Sequence, residues 1–470
     1  MYLKIQSEKW QYVLLVVVVL ITRLPFISDG YGLDGDAWSV AISAQHWHDT
    51  GEYSASRLPG YPVHEYLCSL FINYGYSGLN ILSALFSAIA VLFFAMTLKL
   101  LRFRYIFLAS ITLSMIPVFY IHSTTTIDYI IAIALILASN YFLLKEKIIL
   151  AGIFLGLAIG TRITSGAMLI PFSILLVEFD GFKNNLKRIS RLIIPAFVTG
   201  AVLFIPVLQK YGLGFFTYYN VPYPSIAKVL YKFSIEVWGV FGLLGLIIST
   251  VLLFLPDRIT NRKFLFPRSV NEKFVVAWLV TIDLYIIAFL KLPMESGYLI
   301  PLIPFVILIF GKYLYEKAFV FLCMMLIISS FVCTISPRER YDAVSPSESS
   351  FIFDGAGEKL IFDIFKGPVL SYKERRKNGM YFVNNLLASA DTIKSKSVIV
   401  AGRWYNQMFV QCSDTGKLNF KLKSYLSEEE AVFFYAKGYV IYYLPKQDIY
   451  NKIMRNVDLD VYRALPYIKE

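Results

Sequence analysis

The sequence predicts a polytopic α-helical membrane protein with a small α/β domain at its C-terminal end. Apolar residues make up 57% of the 470 positions and charged residues only 17%, a balance outside the usual range of soluble domains. Long apolar runs recur from the N-terminus to about residue 335, and beyond it the composition becomes that of an ordinary soluble domain. We therefore expect a membrane domain over 1–335 and an α/β domain over 336–470.

The apolar runs predict about eleven transmembrane helices, because roughly 20 apolar residues are needed to cross a bilayer core. The first run lacks a small-residue cleavage site, so we interpret it as a retained helix and not as a signal peptide. Two short runs, 147–161 and 164–179, also fit a helical hairpin that does not cross fully. The predicted spans lie near 11–27, 78–101, 104–121, 127–144, 147–161, 164–179, 192–209, 236–255, 274–290, 298–315 and 318–335.

Basic residues predict the orientation of these spans in the cell membrane. Although the net charge is +12, Lys and Arg lie mostly in short connectors, such as 99–104, 183–191 and 258–273, where they mark the cytoplasmic side. We therefore expect no nucleic-acid partner. With a cytoplasmic N-terminus and eleven spans, the first loop and the C-terminal domain are extracytoplasmic. The four cysteines show no metal-binding or disulfide spacing.

The C-terminal domain shows the patterns of both strands and helices. Segments 397–402 and 439–444 are rich in β-branched and aromatic residues and predict strands. Segment 427–436 opens with a serine followed by three acids, the signature of a helix start. These patterns predict a mixed α/β fold.

The first outer loop concentrates polar and aromatic residues in GLDGDAWSVAISAQHWHDTGEYSASRLPGYPVHEY, residues 32–66. Apolar positions at helical spacing after Asp36 and after Pro62 predict two interfacial helices on the membrane surface. These helices would hold Asp34, Asp36, His64 and Glu65 near the lipid headgroups. Simpler interpretations are also open: Asp36 suits a helix N-cap, and His64 with Glu65 suits a solvated edge.

Three further polar sets lie at the outer ends of predicted helices. Asp128 falls in the opening turn of an apolar helix, where an ionisable group indicates a functional site. Arg162 is isolated between two apolar segments, and a snorkelling side chain is the alternative. Lys291, Glu295 and Tyr298 directly precede a span. Together with the first loop, these sets predict one cavity that opens outward.

The order and side of these motifs resemble the membrane glycosyltransferases of the GT-C fold. The resemblance covers about residues 1–335 and is nearest to the dolichyl-phosphate-mannose protein mannosyltransferases and the bacterial aminoarabinose transferases. Many such relatives have Asp-Glu in the first loop, whereas this chain has Asp36 followed by Ala37, which leaves the choice between Asp34 and Asp36 open. The other motifs are GEY (51–53), RLPGYP (57–62), ILAGIFLGLAIGTR (149–162) and GYLIPLIPF (297–305).

The resemblance implies transfer of a sugar from a polyprenyl-phosphate donor to a lipid, glycan or protein acceptor on the outer face, with inversion. It implies that Asp36, with Asp34 second, acts as the base or orienter. The departing phosphate needs a cation, for which Arg162 is the first candidate. The further candidates are Lys291 and Arg57 for the phosphate, Asp128 for acceptor positioning or, with Asp36, for a divalent metal, and Tyr61, His64, Glu65, Glu295 and Tyr298 for substrate contacts.

A transporter or flippase of lipid-linked glycans is the main alternative. Such proteins often hold ions at the bilayer midplane in broken helices and show repeats between their halves. Here the charged groups lie at outer helix ends and no repeat is visible. A polymerase or ligase of lipid-linked glycans would share the outward chemistry and differ in its donor.

Overall fold

The computed structural model describes residues 2–178, 181–216, 223–254, 270, 272–337, 350–355, 358–391, 393–413, 420–443 and 462–464. Two segments used in the sequence predictions lie outside the described residues. They are 255–269, which contributes to the cytoplasmic charge, and 338–349, where the composition changes.

Helices dominate the described chain. They are α1 Tyr2–Arg23, α2 Gly35–Thr50, α3 Pro62–Phe71, α4 Gly75–Leu100, α5 Ile106–Met115, α6 Pro117–His122, α7 Tyr129–Leu144, α8 Ile148–Thr161, α9 Leu169–Leu176, α10 Phe182–Leu203, α11 Ile205–Tyr211, α12 Ile226–Phe233, α13 Ile235–Leu253, α14 Glu272–Lys291, α15 Ile303–Tyr313, α16 Glu316–Ile328, α17 Pro368–Asp391, α18 Tyr405–Ser413 and α19 Glu428–Ala436.

Each predicted span overlaps a helix or a broken pair of helices, although the helix of the last one, 318–335, ends at Ile328 and the strand that begins at Thr334 follows it. Among the described residues, four helical segments are long and apolar enough to cross a bilayer, and a bent pair makes a fifth. The chain is therefore an integral membrane protein. The other apolar helices have 10–17 residues, so the count of eleven crossings stays a prediction. The long segments are Pro62–Leu100, Ile235–Leu253, Glu272–Lys291 and Ser296–Tyr313, and the bent pair is Phe182–Leu203 with Ile205–Gly214.

Proline and glycine shape the helices that carry the polar groups. Pro117 starts α6 after a break from α5, and Pro62 starts α3, because proline suits a first turn and cannot continue a helix. α8 packs tightly on α10: a Cβ at Gly156 would lie 2.5 Å from the Cβ of Thr199. Close packing of α8 fixes the position of Arg162, which directly follows this helix.

The chain from Thr334 onward, here called the C-terminal region, forms two small sheets. Helix α16 ends at Ile328, so the predicted division near 335 falls close to this change, although a separate domain remains a prediction. One sheet is antiparallel with order β1-β3-β2, and the other is parallel with order β5-β4-β6-β7. The strands are β1 Thr334–Pro337, β2 Ser350–Gly355, β3 Glu358–Asp363, β4 Ser397–Val400, β5 Phe420–Lys423, β6 Val440–Tyr443 and β7 Tyr462–Ala464.

Three elements predicted in the C-terminal region are present. β4 and β6 lie within the predicted strands 397–402 and 439–444, although residue 444 is outside the described residues. α19 coincides with the predicted helix 427–436. The hydroxyl of its N-cap Ser427 accepts a hydrogen bond from the Glu430 N–H, and the Glu430 carboxylate accepts one from the Ser427 N–H, so both backbone donors are satisfied.

Candidate active site

The first outer loop folds into two helices, as the sequence predicts, and places its acids differently from the capping interpretation. Asp34, and not Asp36, occupies the N-cap position of α2. Asp36 lies in the first turn of α2, and its side chain is 49% exposed. The simple capping role for Asp36 is therefore wrong, because the carboxylate is directed to an ion pair.

Arg57 is the centre of an ionic cluster. Its Nε lies 3.1 Å from Asp36 Oδ2, and its Nη2 donates to Asp128 Oδ1 at 2.7 Å. The guanidinium also lies over the ring of Tyr61, with Cζ 4.1 Å from the ring centroid. Burial lowers the pKa of Arg57, but Tyr61 and the two carboxylates outweigh it and raise this pKa well above its ordinary value. Arg57 is therefore a permanent cation between two acids.

Asp128 joins this arrangement to Arg162. Its side chain is fully buried at the residue preceding α7, and its Oδ2 accepts a hydrogen bond from Arg162 Nη1 at 2.7 Å. Arg162 is only 8% exposed, so the snorkelling interpretation is wrong. The four side chains alternate in charge, so each buried member lies beside a group of opposite charge, which offsets part of its desolvation cost. We call Asp36, Arg57, Asp128 and Arg162 the ionic cluster.

Tyrosines enclose the inner end of the ionic cluster. Arg162 Cζ lies 4.4 Å from the ring centroid of Tyr129, 4.7 Å from that of Tyr298 and 5.9 Å from that of Tyr61. Such contacts stabilise a cation that has left water. Tyr61 and Tyr298, predicted as substrate contacts, therefore lie against the two arginines of the cluster.

Glu65 and His64 are buried beneath the loop, so the solvated-edge interpretation is wrong for both. Glu65 Oε1 accepts hydrogen bonds from the backbone N–H and hydroxyl of Ser56, and Oε2 accepts them from Tyr53 and from the N–H of Tyr61. Since both oxygens are occupied, Glu65 positions the loop that carries Arg57. His64 Nε2 lies 3.5 Å from Cys68 Sγ in the same helix.

The three residues predicted before the late span, Lys291, Glu295 and Tyr298, do not lie together at the ionic cluster. Lys291 is exposed at the end of α14, and the ion pairs with Asp36 and Asp128 are made by Arg57 and Arg162 instead. Glu295 lies 3.6 Å from Lys232 Nζ. Only Tyr298 joins the cluster directly, through its ring contact with Arg162.

A cavity of about 320 Å³ lies between the helices and the C-terminal region. Asp34 and Gly35, which precede Asp36 on the chain, form part of its wall. The helical side contributes His122, Glu236 and Glu295, and the C-terminal region contributes Tyr372, Arg375, Arg403 and Trp404. The volume lies at the lower end of the range of small-molecule sites, about 300–1,000 Å³.

The C-terminal region holds the first loop through contacts that sequence reasoning missed. Arg376, 2% exposed, donates to the carbonyl oxygens of Phe26 and Thr124 at 2.9 Å, of Asp29 at 3.2 Å and of Gly30. Gly30 has φ +84°, and a Cβ there would lie 2.9 Å from Met380 Sδ. We call these contacts of Arg376 the arginine clamp.

Two more side chains of the C-terminal region reach the start of α2. Asn406 Nδ2 donates to the Gly35 carbonyl at 3.1 Å and to Ser39 Oγ at 2.7 Å. The Tyr372 hydroxyl accepts from the Leu33 N–H at 3.2 Å. Burial raises the pKa of Tyr372, and the nearby Asp34 carboxylate raises it further, so the hydroxyl stays protonated.

The two acids proposed for a metal do not fit that role in this arrangement. The Arg57 guanidinium lies between Asp36 and Asp128 and contacts both. Within the described residues, no group of three or more His, Cys, Asp or Glu side chains is arranged to hold a metal ion.

The architecture is similar to that of the aminoarabinose transferase ArnT from Cupriavidus metallidurans in its apo state. The superposition has a TM-score of 0.52 at 10% identity and covers 97% of this chain and 96% of that one. The chain has the GT-C fold. This confirms the fold that the sequence motifs indicated, while 10% identity says nothing about substrate.

Two further solved structures are less similar to this chain. ArnT from the same organism bound to undecaprenyl phosphate gives a TM-score of 0.46 at 14% identity, over 67% of this chain and 59% of that protein, less than two thirds of its length. The Archaeoglobus fulgidus oligosaccharyltransferase tethered to an acceptor peptide gives 0.39 at 11% identity, over 85% and 63%. No protein-family model and no curated protein matches the chain.

Proposed function

We propose that the protein is a glycosyltransferase that moves a sugar from a polyprenyl-phosphate donor to an acceptor at the extracytoplasmic face of the membrane. The observation that carries the proposal is the convergence of Asp36, Arg57, Asp128 and Arg162. They come from four separate parts of the chain and meet at helix ends beside Tyr61 and Tyr298. The shared fold with ArnT supports it, and ArnT itself has been crystallised with undecaprenyl phosphate.

The acids of the cluster have separate roles in this proposal. Asp36 is half exposed and uses Oδ2 for its ion pair, which leaves Oδ1 for an acceptor hydroxyl. Asp128 is fully buried and contacts both arginines, so it positions them and does not reach the acceptor. Asp34 is the second candidate for the base, because it lines the cavity.

The arginines suit the departing phosphate. Arg57 Nη1 is buried and makes no hydrogen bond within the described part of the chain, so the guanidinium has donors to spare. Planar guanidinium groups match phosphate oxygens with two parallel hydrogen bonds. Arg162 lies on the other side of Asp128 and supplies a second cation.

The transfer is one displacement at the anomeric carbon. The acceptor O–H gives its proton to Asp36, the acceptor oxygen forms the new bond to the sugar, and the bond to the phosphate oxygen breaks. The electron pair of that bond leaves with the polyprenyl phosphate, whose added negative charge Arg57 and Arg162 stabilise. Attack opposite the leaving group inverts the configuration.

The proposal is tested with purified protein in liposomes that contain radiolabelled undecaprenyl-phosphate sugars and an envelope lipid extract as acceptor. We expect the wild-type chain to consume one donor of the panel and release undecaprenyl phosphate. Asp36→Asn should slow transfer by about 10²–10⁴-fold, the usual contribution of a general base, and leave insertion and folding intact.

Asp49→Asn is the matched control, because Asp49 is exposed on the same helix and its carboxylate accepts hydrogen bonds from Gln45, away from the ionic cluster. It should keep full activity. A comparable loss in Asp34→Asn with a fully active Asp36→Asn would move the base to Asp34. Absence of any sugar transfer by the wild-type chain from every donor would overturn the proposal.

A further inference from the structure

The antiparallel sheet of the C-terminal region has one protein-covered face. Thr334 and Ser336 of β1 line the cavity and are 3% exposed. Directly opposite residues of neighbouring strands share a face, which places Ile361 and Asp363 of β3 on this side, and both are buried. The inner face of the sheet is therefore packed against the rest of the molecule.

The outer face is apolar and partly exposed. The register aligns Ile335 with Phe362 and Phe351, and aligns Leu360 with Phe353. Phe351 is 61% exposed and Phe353 43% exposed, while the other three are partly buried. An antiparallel sheet normally turns a polar face to water, and this sheet does not.

The edge of the same sheet is also apolar. Ile352 on β2 points to the opposite face from its neighbours and is still 48% exposed. Phe365, in the turn after β3, is 75% exposed. Exposed apolar surface of this kind marks a site for a protein partner or for lipid.

The position of the sheet selects lipid. β1 begins six residues after the apolar helix α16 ends at Ile328, and the register puts Phe351 level with Ile335 of β1. Phe365 follows Asp363, which pairs with Thr334 at the end of the sheet nearest α16. The register therefore places Phe351 and Phe365 at the end of the sheet nearest the C-terminal end of α16. Amphipathic elements beside apolar helices insert their apolar side chains at the bilayer surface.

We propose that the outer face of the β1-β3-β2 sheet, led by Phe351, Phe353 and Phe365, inserts into the lipid interface of the membrane that holds the chain. The inner face of the same sheet lines the cavity, so this insertion fixes one cavity wall relative to the bilayer. The proposal does not depend on the function proposed above.

The test is nitroxide accessibility in lipid nanodiscs. Phe351→Cys and Phe353→Cys are labelled and compared with Phe197→Cys on α10, 71% exposed, as the lipid reference, and Lys394→Cys, exposed, as the water reference. The native cysteines are buried, which limits background labelling. We expect an oxygen-to-nickel accessibility ratio several-fold above that of Lys394→Cys and close to that of Phe197→Cys.

A ratio equal to that of the water reference would overturn the proposal. So would spin–spin broadening between copies, which would indicate pairing of β2 edges, or low access to both reagents, which would indicate a protein cover. The unmodified chain gives an independent measurement: a photoactivatable lipid should label residues 350–353 together with α10. Labelling of α10 alone contradicts the proposal.

Discussion

The ionic cluster and the arginine clamp are two buried arginine networks that treat the charge in opposite ways. In the cluster, Arg57 and Arg162 face the carboxylates of Asp36 and Asp128. In the clamp, Arg376 faces the backbone carbonyls of the first loop. Charge meets charge in the first network, and charge meets peptide dipoles in the second.

This difference separates chemistry from support. Backbone carbonyls cannot exchange a proton, so the clamp can only fix the loop. The cluster ends at Asp36, which is half exposed and able to accept a proton. The C-terminal region therefore holds the first loop in place, and the ionic cluster holds the groups to which we assign the chemistry in the proposed function.

The largest effect is expected at Asp128. Asp128→Asn leaves Arg162 buried without a carboxylate, and removal of one partner of a buried ion pair costs about 3–5 kcal/mol in the free energy of unfolding. Adding Arg162→Met should restore part of that loss. Unfolding of the single and double variants in detergent measures both, and an unchanged stability in Asp128→Asn would show that the cluster is not electrostatically coupled.

Substitution of Arg376 should lower the free energy of unfolding less than Asp128→Asn does. It should also lower kcat without a comparable change in KM. Arg376→Met should cost about 1–3 kcal/mol in the free energy of unfolding, the cost of one unsatisfied buried carbonyl, because water can enter the space that the guanidinium leaves and bind the other carbonyls. Because the clamp orients the α2 end, kcat should fall while the donor KM changes little, and Arg376→Lys should recover part of kcat. A KM effect alone would place Arg376 in donor binding and erase the distinction between the two networks.

The smallest effect is expected from changing the shape of a cation and keeping its charge. Arg57→Lys keeps the charge but loses the planar fork, so donor affinity should fall about tenfold, or about 1.4 kcal/mol. Lys291→Ala is the control, because Lys291 lies outside the cluster. Titration with undecaprenyl phosphate compares the variants, and equal loss at both positions would argue against a phosphate site at the cluster.

The sequence indicated the fold and several of the individual polar residues, but it did not indicate which of these residues contact one another. Asp128 and Arg162 stand out because Asp128 opens an apolar helix and Arg162 lies between two apolar segments, where a charge needs a partner. The position of Arg57 between Asp36 and Asp128 was not predictable, because the Gly and Pro residues that follow it indicate only that this segment is a loop. Arg376 lies in a helix whose polar sequence indicates exposure to solvent. It is buried because its guanidinium contacts the backbone carbonyls of Phe26 and Gly30.

Lys291 and Glu65 are two residues whose side-chain directions the sequence did not reveal. Both are charged residues near predicted helix ends, yet Lys291 faces outward and Glu65 turns inward to hold Ser56 and Tyr53. Helix-end position is visible in sequence. Side-chain direction depends on packing between distant segments, which one sequence does not reveal.

The most direct measurement is a cryo-electron microscopy structure of the protein in nanodiscs containing undecaprenyl phosphate. The account predicts that the phosphate lies within hydrogen-bond distance, about 3 Å, of Arg57 or Arg162, with the Asp36 carboxylate facing the same space. A phosphate bound away from both arginines, with the ion pairs of the ionic cluster unchanged from those of the free chain, would contradict the account.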